Sequence, residues 1–270
     1  MVKKNLTYRF LDTLDDYRAC VRIQKEVWGF EDMLDMVPLP LLVIGRKNGG
    51  FLYGAFDQEQ LIGFVYSIMG LYKGMLIHCS HMLAVLPQYR DAGVGFYLKM
   101  KQREFVLSQG INLITWTFDP FQVKNAFFNI EKLGIIIRNY YVNLYGETSS
   151  PLHYGLPTDR MLAEWYLDSE KVVQLNRKNT IPPLNYEGIP VLDILNDRIS
   201  PSQFDVNALL VKMPHDFLEI SSTDKRLSLE LIERTRTLFT ECFSNNLYVK
   251  RFLIKSNNER KEYYYFLQKY

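Results

Sequence analysis

Residues 75–109 constrain this chain more than any other stretch. Met75–Val85 reads as a long strand, Pro87–Ala92 as a loop, and Gly93 opens a helix that runs to about Gln109. The loop carries Arg90-Asp91-Ala92-Gly93-Val94-Gly95. A helix start presents unpaired N–H groups and a positive dipole end, which together hold a phosphate or pyrophosphate. Glycines let the backbone come close to such a ligand. Two loop glycines alone do not require one, because helix starts also carry glycine for packing reasons.

Around this segment the pattern is mixed α/β. Leu6–Phe10 reads as a strand, and Asp12 or Thr13 caps a helix to about Trp28. Residues 29–50 are broken by proline and glycine and stay unassigned. Phe51–Phe56 and Leu61–Ser67 form a hairpin. Leu113–Phe118 is a strand, and a helix from about Gln122 to Leu133 ends at Gly134. Arg138–Tyr145 and Arg160–Leu167 are strands around a loop over 146–159. The Asn-, Pro- and Gly-bearing run 174–190 marks a boundary. Beyond it come the strand Ala208–Lys212, the helix Asp224–Phe243, and the strands Leu247–Ile254 and Tyr263–Leu267.

The chain has 270 residues, 47% of them hydrophobic and 23% charged, an ordinary globular composition. With 32 Lys+Arg against 30 Asp+Glu the net charge is +2, which supplies no nucleic-acid footprint. The first residues carry charges before any apolar run, so no secretory signal is expected. Val37–Ile44 is the longest apolar stretch, and it is far short of the roughly 20 residues of a membrane span. Three scattered cysteines, Cys20, Cys79 and Cys242, make no CxxC pair and indicate no zinc site or disulfide framework. The expected setting is the cytoplasm, with no metal, nucleic acid or membrane partner.

Arg-x-x-Gly-x-Gly at Arg90–Gly95, after Val85-x-Pro87-x-Tyr89, resembles motif A of the GNAT acyltransferase superfamily. The run Asn125-Ala126-Phe127-Phe128-Asn129-Ile130-Glu131-Lys132-Leu133-Gly134-Ile135 resembles that family's motif B. The resemblance covers roughly residues 6–167. Trp28-Gly29-Phe30, Ser80-His81-Met82, Gln102-Arg103-Glu104, Thr115-Trp116-Thr117, Asp119-Pro120, Tyr145-Gly146 and Leu156–Arg160 resemble a bacterial subgroup with an extra C-terminal half. The resemblance implies a GNAT domain over 1–170. Residues 171–270 form an α/β extension whose strand–helix–strand order looks like a degenerate second half-unit. That half is expected to extend the first sheet or to shape the acceptor pocket.

By the same resemblance, the chain is an N-acyltransferase that uses acetyl-CoA or another acyl-CoA. The acceptor is a small-molecule amine such as an amino acid, and the protein is a monomer or homodimer. The pantetheine arm pairs with Leu83, Ala84 and Val85. The pyrophosphate rests on the amides of Arg90, Asp91, Ala92, Gly93, Val94 and Gly95, and Asn125 and Phe128 add cofactor contacts. An amine attacks the thioester directly while a base takes its proton and an acid protonates the leaving thiolate. Ile130 stands where the family often has its acid tyrosine, and the family asparagine position falls on Val123. Tyr140, Tyr141 and Tyr145, or water, are substitutes for the acid.

His81 is the candidate base, since Met75–Val85 holds no carboxylate and an imidazole titrates in the useful range. Even spacing puts it on one face with Cys79, Leu83 and Val85, and His78 on the other. It also reads as a structural histidine. Arg160 either pairs with an acceptor carboxylate or orders a turn with Asp159. Asp119 either meets the amine or caps the next helix. Trp28, Phe30 and Trp116 either wall the acceptor pocket or belong to the core. A non-catalytic acyl-CoA sensor also fits the missing tyrosine. A dinucleotide oxidoreductase would need a third loop glycine where Leu98 stands.

Overall fold

The computed structural model describes residues 6–30, 32–146, 155–178, 180–257 and 260–270, so most of the expected loop over 146–159 lies outside the described residues. By its contacts the chain divides into two compact units, the first running to Trp116 and the second beginning at Thr117.

In the first unit β1 (Leu6–Phe10) leads to α1 (Leu14–Trp28). Thr13 starts this helix by a reciprocal cap: its Oγ1 accepts from the Asp16 amide at 3.2 Å, and the Asp16 carboxylate accepts from the Thr13 amide at 3.1 Å. The unassigned stretch holds α2 (Leu39–Lys47), with Pro38 at its cap. Pro38 and Pro40 are tolerated because a helix start has amides with no partner in the helix. Then come β2 (Phe51–Asp57), β3 (Gln60–Tyr72), β4 (Met75–Val85), α3 (Val94–Ser108) and β5 (Leu113–Phe118). The sheet order is β1-β2-β3-β4-β5. Its neighbours are antiparallel except β4 and β5, which are parallel. A parallel pair needs a crossover, and α3 is that crossover. Leu52, Ile62, Phe64 and Leu98 are fully buried in this core.

The second unit opens with α4 (Val123–Phe127), which widens into a π-helical turn, Phe128–Leu133. Gly134 ends it at φ +84°, and a side chain there would come within 2.9 Å of Leu175. The remaining elements are β6 (Ile136–Tyr141), β7 (Arg160–Tyr166), α5 (Glu170–Lys178), β8 (Val191–Asp193), β9 (Ala208–Met213), α6 (Phe217–Thr223), α7 (Lys225–Ser244), β10 (Leu247–Asn257) and β11 (Arg260–Lys269). Their sheet order is β7-β6-β10-β11-β9-β8. The strand expected over 138–145 starts earlier and stops at Tyr141, because Val142–Tyr145 turn back, with Asn143 at φ +44°.

The expected boundary near residue 170 is not where the compact units part. β10 pairs antiparallel with β6, Val249 opposite Ile137, so the last hundred or so residues share one sheet with residues from 117 onward. An unpaired β6 edge would leave a row of amides and carbonyls without partners. The junction is tied by polar contacts as well. Glu131 accepts from Arg251 Nε at 3.1 Å and from the Phe252 amide at 2.7 Å. The Lys171 ammonium, pulled down to about 7 by burial, donates to Ile135 O at 3.1 Å and to Lys250 O at 2.7 Å, where β10 bulges.

Candidate active site

The first unit carries the strand, loop and helix start that opened the sequence reading. β4 pairs with β3 along its whole length. On its other edge the described ladder with β5 pairs only His78 with Ile114 and Cys79 with Thr115. From Ser80 to Val85 that edge runs on past the ladder toward the glycine loop. Arg90 folds back over the strand end, its Nε donating to Val85 O at 3.1 Å. Asp91 (φ +61°) and Gly93 (φ +80°) turn the loop through left-handed backbone. The cap residue of α3, Gly93, offers no side-chain bond to the first turn, where helix-start amides lack partners within the helix. A Cβ at Gly95 would meet Leu83 at 3.8 Å and Val85 at 3.9 Å, ordinary contacts. The protein's own packing therefore does not demand glycine at 95. These features fit the phosphates and arm of a nucleotide thioester.

The face assignment for His81 needs correction. The β3–β4 register shifts there: Tyr66 lies opposite Met82 and Ser67 opposite Ser80, which leaves His81 as the extra residue of a bulge. His78 meets Gln109, the residue just past α3, Ser80 meets Lys99 on α3, and Leu83 and Val85 face it at Gly95. Positions 80 and 83 share a face, which a regular strand forbids. His81 thus does not share its face with Leu83 and Val85 by simple alternation.

The His81 side chain is exposed, yet surrounding protein still lowers its pKa from 6.5 by desolvation. His78 is different. It is fully buried, with its Nδ1 2.9 Å from Ser67 Oγ and its Nε2 2.7 Å from Gln109 Oε1. It is a satisfied structural histidine. Trp28 and Phe30 are half-buried and stack on each other at 5.9 Å. Trp116 is half-buried and lies over Lys99, a buried lysine that the sequence reading missed.

In the second unit, Asp119 Oδ1 accepts from the Phe121 amide at 2.8 Å, the turn-capping role. Burial raises its pKa, against the pull of Arg160. The Arg160 guanidinium lies 5.4 Å from the centre of the Tyr145 ring, and the Tyr145 hydroxyl is 2.9 Å from Thr117 Oγ1. Tyr145 is exposed. Tyr140 is not: its hydroxyl donates to Asp159 at 3.0 Å, and burial raises its pKa far above 10. Of the two tyrosines, Tyr145 has the freer hydroxyl and the open position. Tyr141 ends β6. Asn125 is exposed, with its Oδ1 accepting from Asn129 at 3.3 Å, and Phe128 is half-buried. Ile130 is fully buried in the core, so the position of the missing tyrosine offers no group to a substrate.

Asp159 explains how the Tyr145 turn is held. It accepts from Arg236 Nε at 3.0 Å and Nη2 at 3.1 Å, from Tyr140 Oη at 3.0 Å and from the Asn143 amide at 2.9 Å. Thr158 Oγ1 accepts from the Tyr145 amide at 3.0 Å. Arg236 stands on α7, far along the chain, and no local pattern marks it. Arg236→Met leaves a buried carboxylate with half its donors. It is expected to lower stability by about 2–3 kcal/mol in urea unfolding. An unchanged midpoint would show that the pair adds nothing.

No model of a known protein family matches this chain, and no curated protein sequence matches it. Solved structures do. Arabidopsis thaliana NAA60 in complex with a bisubstrate analogue is 14% identical, with a TM-score of 0.50, over 60% of this chain and 98% of that one. A GNAT-family protein from Desulfovibrio desulfuricans is 14% identical, with a TM-score of 0.47, over 60% of this chain and 99% of that one. The ribosomal-protein-S18-alanine N-acetyltransferase of Escherichia coli is 14% identical, with a TM-score of 0.47, over 61% of this chain and 97% of that one. At such identity the likeness to NAA60 speaks for a shared fold.

Proposed function

We propose that this chain, whose fold is that of the GNAT superfamily, is an acyl-CoA-dependent N-acyltransferase. The observation that carries the reading is the end of the β4–β5 ladder at Cys79 and Thr115, with the free stretch of β4 leading straight into an uncapped, glycine-lined helix start. A strand edge with spare amides and carbonyls suits the amide-bearing arm of coenzyme A. Helix-start amides suit its pyrophosphate. A dinucleotide oxidoreductase fits less well, since Leu98 is buried in the core where the third glycine would stand, and β3 beside β4 is antiparallel.

The chemistry follows from the residues at hand. The acceptor amine attacks the thioester carbonyl carbon, a C–N bond forms, the C–S bond breaks, and the amine proton passes to a base. His81 is that base in this reading. Its lowered pKa keeps it neutral and able to accept near pH 7. Water protonates the departing thiolate, a fairly good leaving group. The acceptor in this reading is an amino acid or a related small amine. Holding amine and thioester together supplies most of the acceleration.

Calorimetry with CoA tests the donor half. Saturable binding is expected, and no heat and no thermal shift at millimolar CoA would overturn the reading. A panel of acyl-CoA donors against pooled amino acids, read by free thiol release, tests the acceptor half. A second reading, a non-catalytic acyl-CoA sensor, draws on the buried Ile130. Binding without thiol release from any pair would favour it.

A further inference from the structure

Lys99 leaves α3 and lies 2% exposed, in a core where a lysine is costly. Its Nζ donates to Ser80 Oγ at 3.0 Å and to Gln102 Oε1 at 2.7 Å, and sits 3.8 Å from the centre of the Trp116 ring. Those partners fix where it stands. The β4–β5 ladder pairs His78 with Ile114 and Cys79 with Thr115. Ser80 and Trp116 are the next residue on each strand. The lysine head therefore meets both strands at the first step beyond their last pair.

A buried side chain of this cost has a reason beyond filling space, because methionine fills the same volume without a charge to desolvate. Ser80 and Gln102 are themselves buried, and Ser80 Oγ also donates to Gln102 Oε1 at 3.1 Å. Lysine, serine and the Gln102 Oε1 so form a polar knot, with the indole face as its fourth side. Burial holds the Lys99 pKa well below 10.5, opposed by Cys79. The knot stands at the first step beyond the ladder, where the next pair of the two strands would form.

We infer that Lys99 is a positioning residue that holds β4 and β5 apart and sets the width of the slot that receives the pantetheine arm. The inference rests on the acyl-CoA reading above. It separates two halves of the donor: the arm depends on Lys99, and the nucleotide end, held by Arg90–Gly95, does not.

The test compares CoA with adenosine bisphosphate, which has the nucleotide but no arm, by calorimetry on wild type, Lys99→Met and Ser80→Ala. Lys99→Met is expected to weaken CoA about tenfold, with adenosine bisphosphate within about twofold of wild type. Ser80→Ala, which removes one tie and leaves the lysine, is expected to weaken CoA by a smaller factor with the same selectivity. It also keeps the test decisive if Lys99→Met does not fold. The change in Trp116 fluorescence on CoA binding, isolated by subtracting a Trp116→Phe reference, should shrink in both variants. Equal loss of both ligands, or loss of neither, overturns the inference and leaves the acyl-CoA reading standing. Wild type that binds neither ligand overturns both.

Discussion

Replacing His81 by alanine should lower kcat/KM for acyl transfer by about 10²–10³-fold while the melting temperature stays within a degree or so of wild type. The side chain is exposed, so truncation opens no core cavity. Its strand partners run on either side of the bulge, so the backbone loses no pairing. The pH profile gives the sharper readout. Desolvation favours the neutral ring and moves its pKa below 6.5. A base acts when deprotonated, so kcat/KM should rise with pH through that lowered pKa and stay level above it. In His81→Ala the acidic limb should vanish with the activity. A variant that keeps both its rate and its acidic limb would remove His81 from the mechanism and leave the proton to water.

The parts of this site that were legible in the sequence are the local ones. Strand, loop and helix start lie on one continuous run, and Gly93 and Gly95 do there what their backbone allows. The parity of β4 was not legible, because a bulge is written in the register of two strands and not in either one. Lys99 follows Leu98 on a helix, where a lysine ordinarily reaches water. Only the end of a ladder at Cys79, with Ser80 next to it and 19 residues back in sequence, makes it a core residue. Arg236 finds Asp159 across 77 residues. Pro38 and Pro40 looked like helix breakers, yet they sit where a helix begins.

Removing residues 169–270 should leave a chain that melts without a cooperative transition and exposes apolar surface to a dye such as ANS. The likeness to NAA60 covers 60% of this chain, a share that by itself would make the remainder dispensable. The second unit's contacts say otherwise. Truncation strips β6 of β10, and with it the partner of Ile137, a fully buried residue. It leaves the Glu131 carboxylate without Arg251 and the Phe252 amide, Pro120 O without the Tyr265 hydroxyl at 2.8 Å, and Asp159 without Arg236. Each buried polar group so orphaned costs about 1–3 kcal/mol, before any apolar loss. Phe239, Phe252 and Tyr265, all within 2% exposure, take their shared aromatic contacts with them. Native stability is only about 5–15 kcal/mol, so these losses together exceed what the shortened chain has to spare. A truncated chain that melts cooperatively and transfers acyl groups at the full-length rate would show that the added strands are a passenger. A chain that fails in both respects makes them part of the catalytic fold.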